Sequence, residues 1–432
     1  MNASLSPSYI DSQTLILCLS SLLVAPAANT GLALINNGLG RSRSAAHAIL
    51  SALCVTAVAS IIFAFVGSSW SGFAGGPVHS FMLGGKPWNW IASAPLFLRG
   101  IESGGPFPGL VVLFQIVAAG LAAMIPLGTL GDRWRLRACC FSTAILAGIT
   151  YPFFAHWTCG GGWLSELGAN FGLGRGFVDP GGAGSIHVLG GLTALSLSWI
   201  VGSRRDKFSS EGVPAAIPGH NLVFVIFGCF LAWTGWLGLN SLGAMLFSAL
   251  QPARVPLIAI NTTVSASGAG LAAAVTTRIR FGRPDPSLVA NGWVGGLVVS
   301  SVASPFVPPL GALLMGTVAG VLVTLSVEWL ELQLVVDDPA GAISVHAVAG
   351  MWGLLAVSLF GGASGQWLAQ LVGVATLLGF VLPLSYSLNW LLDRVYPQRV
   401  AVEGERQGMD LHELGASAYP EFVIHREEFL QR

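Results

Sequence analysis

Two histidines in apolar stretches of the sequence follow the same short pattern, and their side chains are the ones best suited to chemistry. His187 ends the segment Asp179-Pro-Gly-Gly-Ala-Gly-Ser-Ile-His187, and His346 ends Asp338-Pro-Ala-Gly-Ala-Ile-Ser-Val-His346. An imidazole titrates near neutral pH and can donate or accept a hydrogen bond. Two imidazoles in contact could therefore share a proton and relay a hydrogen bond along a narrow path.

The aspartate of each pattern has a structural explanation. Aspartate is a favoured N-cap and proline fits the first helical turn, so each segment is predicted to begin a helix. Capping explains Asp179 as well as a substrate role does, and Asp338 is expected to be only a cap. The histidines have an alternative too, a satisfied hydrogen bond between helices, although ionisable residues inside a membrane usually mark function.

The composition indicates that these histidines belong to a membrane protein. Hydrophobic residues make up 53% of the 432 residues, charged residues only 9%, and the mean hydropathy is +0.71. A soluble chain carries about 25% charged residues. A bilayer core requires roughly 20 apolar residues per helix, and the ranges 12–40, 44–78 and 287–327 contain no Lys, Arg, Asp or Glu. We therefore predict an all-α protein that spans the lipid bilayer.

Eleven transmembrane helices are predicted, over 13–37, 45–68, 108–130, 137–157, 181–202, 219–240, 257–277, 287–303, 309–329, 340–361 and 367–393. Residues 1–393 form the predicted transmembrane domain, and residues 394–432 form a cytoplasmic tail. With the N-terminus outside, the inner loops carry eleven Lys or Arg residues and the outer loops only four. Because cytoplasmic loops are enriched in these residues, we predict an outer N-terminus and an inner C-terminus.

The two histidine segments begin the fifth and the tenth predicted helices, which run in opposite directions. Each histidine follows its aspartate by eight residues, which is about 12 Å along a helix. Both histidines should therefore lie near the middle of a core about 30 Å thick. A repeat of helices 1–5 by helices 6–10 with inverted topology, and key residues at the midplane, is a known transporter plan.

Several classes of function are disfavoured by the sequence. The formal net charge is zero, so no nucleic-acid partner is expected. The six cysteines include no C-x-x-C pair, so we expect no metal site. We also find no nucleophile–base pair and no phosphate-binding loop, and we therefore expect no enzyme activity and no cofactor.

The chain resembles the ammonium transporter/Rh family, whose members have eleven helices and a twin-histidine pore. The resemblance extends over nearly the whole chain and rests on the two histidine segments together with other motifs. These are Gly31 to Leu34, Phe114-Gln115, Gly128 to Asp132-Arg133, His156, Gly160 to Gly162, Trp233 to Asn240, Asn291-Gly292 and Gly408-Met-Asp410 to Gly415 and Ala418-Tyr419-Pro420.

The resemblance implies a function and partners. Members conduct ammonium or ammonia through the cell membrane (plasma or inner), form homotrimers, and can meet PII-type signalling proteins at the tail. An aromatic cage with a hydroxyl recruits the cation, two phenylalanines close the floor below it, and the histidines lie beyond them. By this resemblance Asp179 and Trp236 belong to the mouth and substrate recruitment, with Asp179 supporting the mouth and Trp236 packing along the histidine pair.

Four positions of the mouth depart from the family pattern. Ala118 and Leu239 stand at the two gate positions, Cys159 at the cage tryptophan, and Gly243 at the hydroxyl. Each lost ring forfeits roughly 0.5–2 kcal/mol of attraction for a cation. Trp157 and Trp163 could rebuild an aromatic mouth, although anchoring at the membrane interface explains them as well.

Three functions remain open at this point. The first is a transporter or channel for ammonium or ammonia with a pore at His187 and His346. The second is an ammonium sensor with little flux that signals through its tail to a separate partner. The third is a channel for another small solute, such as methylamine or a dissolved gas.

Overall fold

The computed structural model describes residues 10–248, 250–360 and 363–422. Within these ranges ten helices are long and apolar enough to cross a membrane, and one further apolar helix is shorter. In chain order they are α1 Ser12–Leu39, α2 Ser42–Ser71, α3 Pro106–Leu130, α4 Leu136–Thr158, α5 Ala183–Val201, α6 Leu222–Phe247, α7 Pro252–Phe281, α8 Pro286–Ala303, α9 Pro309–Gln333, the shorter α10 Ile343–Leu359, and α11 Gln366–Val395.

The predicted spans agree with these helices, and each overlaps one of them. The predicted span 340–361 ends at a residue outside the described ones, and the helix observed there, α10, is the short one. The described part of the chain is therefore a predominantly helical membrane fold. That eleven helices cross the membrane, with the N-terminus outside, stays a prediction.

Polar residues fix where several of these helices begin. Asp11 accepts a hydrogen bond from the backbone N–H of Thr14, Asn221 from that of Phe224, and Asp285 from that of Leu288. Each is an N-cap that satisfies an otherwise unpaired N–H group of the first turn. Inside a membrane such pairing matters more than in water, because the hydrocarbon offers no alternative partner.

Small residues let the helices pack closely. A Cβ atom added at Gly235 of α6 would overlap the backbone of Ala28 in α1, and one at Gly320 of α9 would overlap the backbone of Ala269 in α7. Helices in lipid associate largely through such close contacts, since the surrounding chains are as apolar as their own side chains. These contacts explain the abundance of glycine in the sequence.

A two-stranded antiparallel hairpin, which the sequence analysis did not predict, lies between α2 and α3. Its strands are β1 Val78–Leu83 and β2 Lys86–Ala92, joined by Gly84 and Gly85. Both glycines have positive φ, 59° and 76°, the conformation that a two-residue hairpin turn requires. A pair of strands this short needs packing against other elements for stability, and aromatic side chains supply it here.

The tail packs against the loops at the opposite end of the bundle. Val400 donates a backbone hydrogen bond to Arg133 (2.9 Å), and Arg135 donates one to Gln398 (3.1 Å). Farther along, Asp410 accepts from the backbone N–H groups of Ala46 and His47 at the start of α2, at 3.1 and 2.8 Å. The boundary between residues 1–393 and 394–432 stays a prediction, and 423–432 lie outside the described residues.

Candidate functional site

The two histidines meet in the interior. The ring centroids of His187 and His346 are 5.2 Å apart and the rings are nearly parallel, at 21°. His187 is 0% exposed and His346 is 3% exposed. The structure therefore brings together two residues that lie 159 positions apart in the sequence.

Equivalent local structures hold the two imidazoles. His187 lies in a π-helical first turn, Ala183–Val188, and His346 in a π-helical first turn, Ile343–Val348. Such turns are rare and often occur at functional sites. The common Asp-Pro…His pattern of the sequence thus folds into the same wide turn in both halves of the chain.

The ring nitrogens of the pair are largely unpaired. Neither nitrogen of His187, nor Nδ1 of His346, has a hydrogen-bond partner among the described residues. A buried polar atom left in this state costs about 1–3 kcal/mol. The alternative of a histidine satisfied by a neighbouring helix therefore does not describe His187, whose nitrogens remain available to a small polar ligand.

Trp236 packs beside the pair, as the resemblance implies. Its ring stacks on His187 with centroids 5.0 Å apart and an angle of 10°, and its Nε1–H donates to the hydroxyl of Ser301 at 3.1 Å. The indole is fully buried, so it fixes the orientation of the His187 ring. A direct role for Trp236 in recruiting substrate at the mouth stays a prediction.

Asp179 and Asp338 cap the two helices that carry the histidines. Asp179 accepts hydrogen bonds from the backbone N–H groups of Gly184 (2.9 Å) and Ser185 (2.7 Å). Asp338 accepts from the backbone of Ala342 (3.0 Å) and Ile343 (2.8 Å). Both carboxylates lie where a helix start favours negative charge. The geometry of Asp179 is that of a positioning residue, and recruitment by Asp179 stays a prediction.

Three of the four altered mouth positions lie in α3 and α6, and the fourth directly follows α4. Ala118 in α3 and Leu239 in α6 are both 0% exposed, whereas Cys159, at the end of α4, is partly exposed. A Cβ atom at Gly243 in α6 would overlap the carbonyl oxygen of Pro180. The segment that begins α5 therefore occupies the space where a side chain at residue 243 would lie, and a hydroxyl cannot be placed there without moving this backbone.

Trp157 and Trp163 do not form an open aromatic cage. Trp88 of β2 stacks on Trp163, and Trp90 packs on Trp157, with ring centroids 4.9 Å apart in both cases. The indole N–H of Trp157 also donates to the carbonyl of Trp90 at 2.7 Å. The two tryptophans thus anchor the hairpin to the bundle, a role that the sequence analysis missed because it contained no hairpin.

A buried charge network lies next to the His346 segment, and the sequence analysis missed this as well. Arg204 contacts both carboxylate oxygens of Asp337 at 2.9 Å, and Arg133 donates to the Asp337 carbonyl at 3.0 Å. Burial by itself would raise the pKa of Asp337, but the Arg133 charge and the hydrogen bonds from Arg204 lower it overall. Asp337 is the neighbour of the capping Asp338, so the network fixes the start of the segment that leads to His346.

Comparisons with known proteins agree with this geometry. The sequence model of the Ammonium Transporter Family matches residues 15–419. The chain is 33% identical over 425 residues to the ammonium transporter Amt2 of Archaeoglobus fulgidus, covering 92% of this chain and 86% of that protein. It is 30% identical to Amt2 of Haloferax mediterranei, covering 91% and 87%.

Solved structures show the same fold. A protein described as a Sensor Amt Protein superposes with a TM-score of 0.84 at 27% identity, covering 93% of this chain and 98% of that one. Mep2 of Candida albicans superposes with a TM-score of 0.76 at 22% identity, covering 96% and 91%. The resemblance inferred from the sequence is confirmed, and the chain belongs to the ammonium transporter family.

Proposed function

We propose that the protein is a transmembrane transporter or channel for ammonium or ammonia, with His187 and His346 as the conduction pair. The observation that carries the proposal is the pair itself, two buried imidazoles in contact. Both nitrogens of His187 and Nδ1 of His346 lack partners among the described residues. Membership in the family supports it, because relatives that match most of this chain are named ammonium transporters.

The chemistry of the pair suits neutral ammonia. A bare ammonium ion is costly in a membrane interior, because nothing there replaces its hydration shell. Ammonia has one lone pair and three N–H groups, so it can accept a hydrogen bond from one imidazole and donate one to the other. The ligand therefore passes the histidines as NH3, and the proton is handled separately.

The proposal includes topology, location and partners. Eleven membrane crossings place the N-terminus outside and the tail inside a cell membrane (plasma or inner). The protein is a homotrimer, and a PII-type signalling protein is a partner at the tail. The excess of basic residues in the loops on the tail side supports the orientation. The hydrogen bonds from the start of α2 to Asp410 support a tail that is docked on the bundle, where a partner could meet it.

Ammonium uptake into proteoliposomes tests the conduction pair. His187→Ala and His346→Ala should abolish uptake or its selectivity, because each removes one of the two hydrogen-bonding rings. Ser196→Ala is the matched control, since Ser196 is buried in the same helix as His187 but bonds only to the backbone of Leu192. Unchanged uptake in both histidine variants would exclude this role.

A sensor with little flux is the second candidate, and the altered mouth favours it. Ala118, Cys159, Leu239 and Gly243 all depart from the family's recruiting and gating residues, and a structural neighbour is described as a sensor. Electrical recording on a supported membrane distinguishes the two functions. A robust ammonium current excludes the sensor, whereas ammonium binding with neither current nor uptake into proteoliposomes excludes the transporter.

A channel for another small solute is the third candidate. The side chains at the gate positions, Ala118 and Leu239, are aliphatic and cannot stack as two phenyl rings do, so they would seal a pathway differently. A competition series of ammonium, methylamine and a neutral dissolved gas in the same uptake assay identifies the preferred solute.

A further inference from the structure

We infer that the tail end of the bundle carries a binding site for an anionic phospholipid, formed where the start of α4 adjoins the end of α11. Six residues form this site, which we call the basic patch: Arg135, Arg137, Arg394, Phe141, Trp390 and Tyr396. The inference goes beyond the proposed function and does not depend on whether the protein conducts ammonium.

Helices α4 and α11 are in contact at this end of the bundle. The Ser142 hydroxyl of α4 donates to the side-chain oxygen of Asn389 in α11 at 2.6 Å. Tyr396, which directly follows α11, packs edge-on against Phe141 of α4, with ring centroids 5.7 Å apart. The guanidinium carbon of Arg135, which directly precedes α4, lies 5.9 Å from the centre of the same tyrosine ring. The arginines of the basic patch therefore belong to two adjoining helix ends.

The basic patch carries an excess of positive charge. In the described part of the chain, none of its three arginines forms an ion pair with a carboxylate. Two acids of this region accept hydrogen bonds from backbone N–H groups instead, Asp393 from Gln398 at 2.9 Å and Glu413 from Leu136 at 2.8 Å. Three cations beside two carboxylates leave a positive surface, which attracts the anionic headgroups of a membrane.

Both helices place an exposed aromatic ring one turn deeper in the bundle than an arginine. Phe141 follows Arg137 by four residues in α4, and Trp390 precedes Arg394 by four in α11. Each pair therefore lies on one side of its helix, about 6 Å apart along the axis. Both rings are exposed, and aromatic rings at a membrane surface commonly lie at the headgroup level.

This order of side chains distinguishes a lipid from a soluble anion. A phospholipid has its phosphate at the membrane surface, with the glycerol and the acyl chains below it. Arginines at the helix ends suit the phosphate, and the exposed rings one turn deeper suit the apolar part. A soluble anion would leave those rings uncovered, so the basic patch favours a phospholipid.

The aromatic rings also determine how two guanidinium groups are presented. Arg394 lies over the ring of Trp390, with its guanidinium carbon 4.9 Å from the ring centre, and Arg135 lies over Tyr396. Stacking uses the flat face of a guanidinium and leaves the N–H groups at its edge free to donate. Those groups match the oxygen atoms of a phosphate, often two at a time.

A lipid bound here would lie beside the docked tail. The backbone N–H of Arg135 donates to the carbonyl of Gln398 at 3.1 Å, and the indole N–H of Trp134 donates to the Gln398 side chain at 3.1 Å. The lipid would thus connect the membrane surface to the segment that holds the first part of the tail.

Lipid binding to the purified protein tests the inference. Native mass spectrometry gives the affinity for phosphatidylglycerol and for phosphatidylcholine with the same acyl chains, two lipids that differ in headgroup charge. The wild type should bind phosphatidylglycerol more tightly. Arg135→Gln, Arg137→Gln and Arg394→Gln should each weaken that binding about fivefold, the usual contribution of one basic residue near an anionic surface. The triple variant should bind both lipids equally.

Arg175→Gln is the matched control. Arg175 also lies over an aromatic ring, that of Phe306 at 5.4 Å, but belongs to the opposite end of the bundle, so this variant should keep the wild-type preference. Equal affinity of the wild type for both lipids, as expected if a second copy of the chain covers the basic patch, overturns the inference. A loss in Arg175→Gln as large as in Arg135→Gln also overturns it, because binding would then follow overall charge.

Discussion

The centre and the outer mouth of this molecule are built on different principles. At the centre, each histidine is positioned by residues close to it in sequence, an aspartate cap and a π-helical turn that occur in both halves. At the mouth, positions depend on contacts between distant segments, such as Pro180 on Gly243 and Trp88 on Trp163. Because contacts within each segment position the histidines, the centre can keep the family pattern although residues at the mouth have changed.

The difference shows that the two regions can change separately. The segment Asp179 to His187 belongs to both, since Pro180 packs against Gly243 and the last residue, His187, is part of the pair. Its backbone is fixed by the cap, so side chains facing it at the mouth can vary without moving His187. The residues at the mouth can therefore diverge while the geometry of the histidine pair remains.

The strongest test of this comparison is to restore the hydroxyl at the mouth. Gly243→Ser should destabilise the protein by about 1–3 kcal/mol, because the new side chain overlaps the Pro180 carbonyl and overpacks a filled site. Thermal unfolding in detergent, followed by tryptophan fluorescence, measures the loss. A stable variant with improved ammonium recruitment would show instead that residue 243 can hold a hydroxyl without a clash with the Pro180 backbone.

The two caps should be of equal importance if the centre is a repeated design. Asp179→Ala and Asp338→Ala should each cost about 0.5–2 kcal/mol, as is usual for loss of an N-cap. Each also leaves two backbone N–H groups of its helix start unpaired. The same unfolding assay gives both values. A large loss in one variant and none in the other would break the equivalence of the halves.

Unlike the contacts at the centre, the docking of the tail is expected to depend on pH through Glu413. Burial would raise the pKa of Glu413, but hydrogen bonds from the His47 ring (3.0 Å) and the Leu136 backbone (2.8 Å) lower it below the ordinary 4.5 overall. A carboxyl group whose pKa is lowered in the folded state stabilises the docked tail at pH values above its ordinary pKa. This contribution is lost as the pH falls through the pKa of the folded state.

Protease cleavage of the tail should therefore accelerate below about pH 4.5 in the wild type. In Glu413→Gln the rate should be higher at neutral pH and should depend less on pH in this window. Glu421→Gln is a suitable control, because Glu421 is exposed at the far end of the described tail. An identical pH profile in Glu413→Gln and the wild type would exclude Glu413 as the group responsible.

The smallest effect is expected at the hairpin. Trp88→Ala removes the stack on Trp163 and should weaken the hairpin by about 0.5–1.5 kcal/mol. Hydrogen exchange over residues 78–92 should accelerate, whereas ammonium flux should change little, since the hairpin anchors on α4 rather than on the histidine pair. A strong loss of flux would place the hairpin within the pathway.

The arrangement of the histidine pair could be predicted from the sequence because each of its signals lies within one helix. The Asp-Pro start, the spacing to His187 and His346, and the apolar runs each depend on residues within one helix. The overlap of every predicted span with a helix has the same origin. The stacking of Trp236 on His187 was expected only through resemblance to a family, since nothing within α6 predicts it.

Contacts between distant segments were the part that sequence could not supply. The bidentate pairing of Arg204 with Asp337 joins residues 133 positions apart. Arg133 was recognised only as part of a family motif and as one of the basic loop residues. Gly243 gave no sign that a backbone carbonyl lies against it. The hairpin had a local signal, Gly84-Gly85 between strand-forming residues, which was overlooked because the surrounding sequence was interpreted only as a loop between helices.

The contact between His187 and His346 has a consequence for how the gene could be divided. One imidazole comes from each half of the chain, and the loop over residues 202–221 is the covalent connection between α5 and α6. Neither half holds the histidine pair alone. The pair is in effect an interface between two pieces of protein, so two separately expressed halves would regain the pair only to the extent that they associate in the bilayer.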